Sequence, residues 1–208
     1  MVVNEFDIKA SDWDKNPVHW ERSYAIAGEI LKQVKLKAGS IALEFGAGTG
    51  ILSFLLRNHL KEIILMDSSR EMIRIIDEKI IAAGASNMKT LFFDLESSVY
   101  NDRKFDFIFT QMALHHVADI DNILRKFHEL LNPGGYLAIA DLYPEDGSFH
   151  GEGFAGHKGF NVDELAHTIH KTGFSYISHK ECFVIERKIS DEVTNQYPVF
   201  LIIANRKE

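Results

Sequence analysis

The chain has a single cysteine, Cys182, so no disulfide can form within it. That suits a reducing compartment, and a cytoplasmic location is the expectation. No apolar run approaches the ~20 residues that cross a bilayer. The opening, MVVNEFDIKA, has no cationic flank followed by an apolar stretch. Membrane insertion and secretion are therefore not expected. A basic surplus is missing too: 23 Lys and Arg stand against 30 Asp and Glu, a net charge of −7 with histidine neutral. Affinity gained by displacing phosphate counterions calls for the opposite sign, so nucleic acid is a disfavoured partner. Ten histidines qualify that balance, because protonating all of them below about pH 6 would bring the net charge to +3. Repeats, low-complexity tracts and interdomain linkers are absent, and nothing speaks to oligomeric state.

What is present is the composition of a globular protein, 46% hydrophobic and 25% charged in 208 residues. That length favours one domain. Folding at this size buries about 70% of the unfolded surface, so the core needs neither disulfide nor structural metal.

Residues 17 to 35 carry Trp20, Tyr24, Ala27, Leu31 and Val34 at helical spacing, with Asn16 and Pro17 as cap and first turn. SIALEF (40 to 45) is a short apolar run ending at glycines, followed by the helix-like ILSFLLRNHL. EIILM (62 to 66) is a second strand, and Ser68 with Glu71 forms a capping-box start for a helix to about Gly84. KTLFF (89 to 93), FDFIFT (105 to 110) and YLAIAD (136 to 141) are three more strands. A helix marked by Ile120, Ile123, Leu124, Phe127, Leu130 and Leu131 precedes the last of them and stops at Asn132-Pro133-Gly134-Gly135. After residue 141 the rhythm changes: a glycine-rich loop, a helix from near Asn161 with Glu164 in capping register, then strands at roughly 174 to 187 and 196 to 205. Strands apolar throughout, alternating with helices, predict an α/β fold with a doubly wound parallel sheet, closed by an antiparallel C-terminal hairpin.

Glu44-Phe45-Gly46-Ala47-Gly48-Thr49-Gly50 follows the first strand, where such sheets keep their ligand crevice. A dinucleotide fingerprint wants a glycine where Ile51 stands, and no lysine follows to make a phosphate loop. The Glu44 carboxylate opposes a diphosphate and suits a cationic ligand, of which S-adenosylmethionine is one. Asp67, 21 residues after Gly46 at the end of the second strand, is placed to bond ribose hydroxyls. Asp94 ends the third strand and could receive the adenine amino group, with Leu95 beside it.

EFGAGTG, MDSS, FFDLES, FDFIFTQMALHHV and LLNPGGYLAIADL, in this order and spacing, resemble the successive motifs of class I S-adenosylmethionine-dependent methyltransferases, especially small bacterial, quinone-biosynthesis-like members acting on small molecules. The likeness covers nearly the whole chain and implies a Rossmann-like seven-stranded sheet. It implies cofactor binding by Glu44, Gly46, Ala47, Gly48, Thr49, Gly50, Asp67, Ser68, Met72, Asp94, Leu95, Gln111 and Met112. One domain over 1–208 is expected, with an N-terminal cap and helix (1–35), a cofactor-binding core (36–141), a substrate lid (142–160) and a C-terminal helix and hairpin (161–208).

Methyl transfer from an activated sulfonium chiefly requires proximity and exclusion of water, while a hydroxyl or amine acceptor benefits from a base. His115 and His116 follow the fourth strand, and His116 is the preferred one to face cofactor or acceptor. The Leu142 to Phe160 loop is long enough to be functional. Its Tyr143, Phe149, Phe154 and Phe160 could wall an apolar acceptor pocket, with His150 and His157 as titratable groups. His150 and His157 with Glu152 or Asp146 match no recognised ligand spacing, so no metal is expected. Thr110-Gln111-Met112-Ala113 lacks the Asn/Asp-Pro-Pro-aromatic signature of members that methylate adenine or glutamine amides. Trp13 and Trp20 could cover the cofactor, and Cys182 reads as an inert thiol. The expected function is methyl transfer to a small-molecule acceptor. A non-catalytic cofactor-binding sensor or accessory protein, and less favourably a dinucleotide-dependent oxidoreductase, are the alternatives.

Overall fold

The computed structural model describes residues 5–190 and 193–207, the side chains of 176 and 177 excepted. The first residues of the cap and part of the turn joining the C-terminal strands lie outside them. A short helix α1 (Glu5–Lys9) runs through a 3-10 turn (Ala10–Lys15) into α2 (Pro17–Gln33), whose cap Asn16 accepts the Val18 N–H. Then come β1 (Ile41–Phe45), α3 (Ile51–Leu56), β2 (Glu62–Asp67), α4 (Arg70–Ala83), β3 (Met88–Phe92), β4 (Phe105–Gln111), α5 (Ile120–Leu130), β5 (Leu131–Leu142), α6 (Val162–Lys171), β6 (Phe174–Lys188) and β7 (Thr194–Arg206).

The seven strands form one sheet in the order β3-β2-β1-β4-β5-β7-β6. β1 to β5 pair in parallel, and β7 runs antiparallel to both β5 and β6. This is the expected doubly wound sheet with its antiparallel hairpin. The strands are apolar on both sides because both sides are covered. Leu52, Leu56, Ile63, Leu65 and Phe107 belong to one buried layer, and Leu43, Ile108, Ile123, Leu124 and Phe127 to the other. The order reverses between β1 and β4, which opens a crevice at the carboxyl ends of the central strands.

Three local expectations are corrected. The α4 cap is Ser69 and not Ser68: its Oγ accepts the Met72 N–H, while its own N–H is held by Asp67 Oδ1 at 2.8 Å. ILSFLLRNHL is helical only to Leu56 and tightens into a 3-10 turn at Arg57–His59. The inward face of α2 is only in part the one predicted: Ala27 and Val34 are buried as expected. Tyr24 and Leu31 are 60% and 38% exposed, whereas Arg22, Ser23, Ile26, Ala27 and Ile30 are buried.

Candidate cofactor and acceptor site

The loop after β1 has a backbone that favours glycine. Gly46, Gly48 and Gly50 have φ of +63°, +54° and +77°, a region where a Cβ meets its own carbonyl. A Cβ on Gly46 would also stand 2.5 Å from the Cβ of Ala113. Opposite, Met112 is the one non-glycine residue with positive φ among the described residues, at +52°. Strain of that kind collects at functional sites.

Together these segments wall a cavity lined by Gly46, Ala47, Gly48, Asp67, Ser68, Met72, Asp94, Leu95, Gln111 and Met112. Glu44, Thr49 and Gly50 are not part of that wall. Asp67 Oδ2 accepts the Gly48 N–H at 2.7 Å, and burial raises its pKa. Asp94 caps its own turn, accepting from the Glu96 N–H and Ser97 Oγ. The Lys126 ammonium clamps the next residues through the carbonyls of Leu95, Glu96 and Ser98. Gln111 is fixed by the Ser23 hydroxyl at 3.0 Å.

Glu44 lies beneath the loop, wholly buried on the α3 side of β1. Ser53 Oγ donates to its Oε2 at 2.5 Å, while Oε1 is buried with no partner. Burial pushes this carboxyl up to about 8, with Asp67 adding to the rise against Ser53 and Lys79. Arg22 is a second buried charge, absent from the predicted cofactor set. It lines the cavity, its Nε lacks a partner, and burial lowers its pKa to about 10 against the attraction of Asp141.

The N-terminal segment roofs the cavity with Phe6 and Trp13. Asp14 ties it down by accepting from Thr49 Oγ1 at 2.5 Å and from Lys79 Nζ at 2.6 Å. Asp7 accepts from Ser69 Oγ at 2.6 Å. Trp20 does not reach the cavity, and its indole N–H bonds the Asp14 carbonyl.

His116 lines this cavity and also an adjoining groove of about 770 Å³ bounded by Glu5, Lys9, His150, Phe154 and His157. Burial, with His115 and His150 nearby, holds His116 down to about 3, and burial with His115 holds His150 down to about 4. Both are therefore neutral and weak bases at physiological pH. His157 is a strut: its Nε2 bonds the Val117 carbonyl and its N–H the His115 carbonyl. Of the four loop aromatics only Phe154 lines the groove. Tyr143 packs on Phe200, Phe149 on Tyr197, and Phe160 is core. The partner of His115, which no local sequence signal marks, is buried Asp141: Oδ1 lies 2.6 Å from Nδ1 and Oδ2 accepts the His115 N–H. Cys182 is half-buried, its thiol pushed up to about 12 by burial.

The donor set fits S-adenosylmethionine. An orphaned carboxylate oxygen under a tight glycine bend suits an ammonium, an orphaned guanidinium Nε suits a carboxylate, and Asp67 faces the cavity where a ribose belongs.

A family model described as Methyltransferase domain matches residues 18–179. An uncharacterised methyltransferase of Schizosaccharomyces pombe is 28% identical over 145 residues, covering 62% of this chain and 51% of that protein. A demethylmenaquinone methyltransferase of Lactobacillus johnsonii is 29% identical over 119 residues, covering 54% of this chain and 48% of its own. The chain spans about half the length of these curated relatives. The crystal structure of the YcgJ protein of Bacillus subtilis superimposes with a TM-score of 0.73 over 89% of this chain and 99% of that one, at 19% identity, a likeness of fold. Among the described residues no helix is long and apolar enough to cross a membrane. The strand order, the glycine bend and a family model covering most of the length together place this chain among the class I S-adenosylmethionine-dependent methyltransferases.

Proposed function

We propose that this chain transfers the methyl group of S-adenosylmethionine to a small molecule bound in the groove beside His116. The observation that carries this reading is the buried Glu44 Oε1, left without a donor beneath three glycines of positive φ. When bound, the cofactor supplies a methyl group already activated on a sulfonium. Glu44, beneath the bend, would attract its ammonium through the glycine loop, while Arg22 would hold its carboxylate, Asp67 its ribose, and Asp94 with Leu95 its adenine. Ser68, Met72, Gln111 and Met112 complete the walls, while Ala47, Thr49 and Gly50 set the shape of the bend.

The chain contributes proximity and dryness. Phe6 and Trp13 shut out water from above, and His116 and His150 line the acceptor side as neutral imidazoles that orient a nucleophile without deprotonating it in bulk, with His157 beside them in the groove wall. The groove is wide enough for a partly apolar metabolite, and the demethylmenaquinone methyltransferase relative supports a small-molecule acceptor. Residues 1–35 are read as the cofactor cover, 36–141 as the cofactor core, 142–160 as the acceptor wall and 161–208 as the buttress behind it, in a protein acting in the cytoplasm.

Calorimetry with S-adenosylhomocysteine and with NAD tests the cofactor. S-adenosylhomocysteine should bind and NAD should not, and tight binding of NAD alone overturns the proposal. Methyl release measured across a metabolite panel should then find an acceptor. Cofactor binding with no turnover on any of them would favour the sensor reading instead.

A further inference from the structure

Three histidines from two distant stretches of the chain meet at the partition between the cavity and the groove. One ligating nitrogen from each of His115, His116 and His150 lies within 4.8 Å of the others. Their ring centroids are 4.2 Å (His115 to His116), 4.8 Å (His115 to His150) and 5.4 Å (His116 to His150) apart. Asp141 Oδ1 engages His115 Nδ1 at 2.6 Å, so the ring nitrogen left to offer an ion is Nε2. A carboxylate that fixes the tautomer and aim of an imidazole in this way is the usual support behind a metal-bound histidine.

His150 stacks on Phe154 at 3.8 Å, which explains the placement of its ring. That contact does nothing for His150 Nδ1, which is buried without a hydrogen-bond partner. Buried polar atoms are rarely left so unless a water or ion completes them.

A carboxylate stands near each of the three rings. Asp141 backs His115, Glu5 acts on His116, and Glu145 acts on His150 with its own Oε1 buried and unpartnered. Lys9, Arg187 and Arg22 oppose these carboxylates. Lys9 is paired with Glu5 at 2.9 Å, Arg187 lies over the Phe149 ring, and Arg22 is drawn to Asp141.

We propose that His115, His116 and His150 bind one divalent transition-metal ion of the zinc type, with a fourth position open to the groove. Ligand nitrogens about 2.0–2.1 Å from such an ion stand roughly 3.4 Å apart in tetrahedral geometry. The 4.8 Å span therefore closes by rotation of the part-exposed His116 and His150 rings. Given the methyltransferase reading, on which this last step rests, the open position selects acceptors that present an oxygen, nitrogen or sulfur donor at one end. The ion holds that donor beside the wall of the cofactor cavity.

Equilibrium dialysis of the untagged, chelator-stripped full chain against zinc, with cobalt(II) absorption as a second readout, tests the site without requiring turnover. One equivalent should bind, and cobalt should show the intense visible bands of a four-coordinate centre. His116→Ala, His150→Ala and His150→Gln should each weaken binding at least tenfold, as should Asp141→Asn as a positioning change. His170→Ala, on the exposed side of α6, should leave binding untouched, and thermal melts confirm that each variant folds. Substoichiometric binding by the parent chain, or binding indifferent to His116 and His150, overturns the site. S-adenosylhomocysteine calorimetry on the same samples separates the readings: cofactor binding without zinc sinks the metal alone, and zinc without cofactor sinks the methyltransferase reading alone.

Discussion

Ser53 Oγ donates to one oxygen of Glu44 at 2.5 Å and leaves the other, equally buried, with nothing to accept. The carboxyl, pushed up to about 8 by burial, is therefore mostly protonated at pH 7 in the free protein and ionises when a cation arrives. Binding of S-adenosylhomocysteine at pH 7 should release close to one proton from this group. Calorimetry in two buffers of different ionisation enthalpy reads it, and Glu44→Gln should abolish the release. An unchanged proton count in Glu44→Gln would show that the carboxylate takes no part. The same shift fixes a stability trend for the free protein. Its folded form keeps this proton above the ordinary value of 4.5, so stability contributed by the group falls as pH rises from 4.5 to about 8 and is level beyond.

Gly46→Ala and Gly84→Ala form a matched pair. Both positions have positive φ, but only at Gly46 would the new methyl meet a neighbour, Ala113 Cβ at 2.5 Å. The strain common to both is about 1–2 kcal/mol, and overpacking adds roughly 1–3 kcal/mol at Gly46 alone. Urea denaturation should rank Gly46→Ala below Gly84→Ala by that margin, and only the former should lose cofactor binding. Equal midpoints would refute the packing argument.

The clasp from Asp14 to Thr49 and Lys79 should govern how fast the roof lifts. Asp14→Asn removes a half-exposed ion pair worth about 0.5–1 kcal/mol, so ligand dissociation should speed by roughly two- to fivefold. Stopped-flow fluorescence can follow it, because Trp13 lines the cavity and Trp20 does not. Trp20→Phe should keep the ligand-dependent signal and Trp13→Phe should lose most of it. The opposite pattern would place the roof elsewhere.

Asp141→Asn should cost about 2 kcal/mol in urea, since the carboxylate accepts charge-assisted bonds from the His115 ring and from the N–H groups of His115 and Leu142. A midpoint shift near zero would mean that these bonds are already compensated by water.

Much of this fold could be read from the residues because β1, β2, β4 and β5 are buried on both faces and thus apolar without alternation. The glycine bend and Asp67 were visible for a related reason: close backbone approach and a carboxylate at a strand end leave few substitutes. Other features were hidden by the same physics. On α2 the buried side carries Arg22 and Ser23, which turn toward the cavity and Gln111, so the apolar stripe along the helix takes in exposed Tyr24 and Leu31. The His115 and Asp141 pair joins positions 26 apart through two parallel strands, a separation set by the crossover and not by any local period. His150 joins them only because the loop after β5 is pinned back by its own backbone, from the His157 N–H to the His115 carbonyl and from the Phe160 N–H to the Leu142 carbonyl.

His116 and Val117 belong to the lining of both hollows, so the two are divided by a party wall of one imidazole and its neighbouring valine. Under the proposed function, an acceptor would meet the methyl donor only with an atom at its leading tip, while whatever bulk trails behind would extend toward the open mouth between α1 and the loop after β5. Tolerance for long or branched tails, combined with strictness about the reacting end, is the selectivity such a wall imposes.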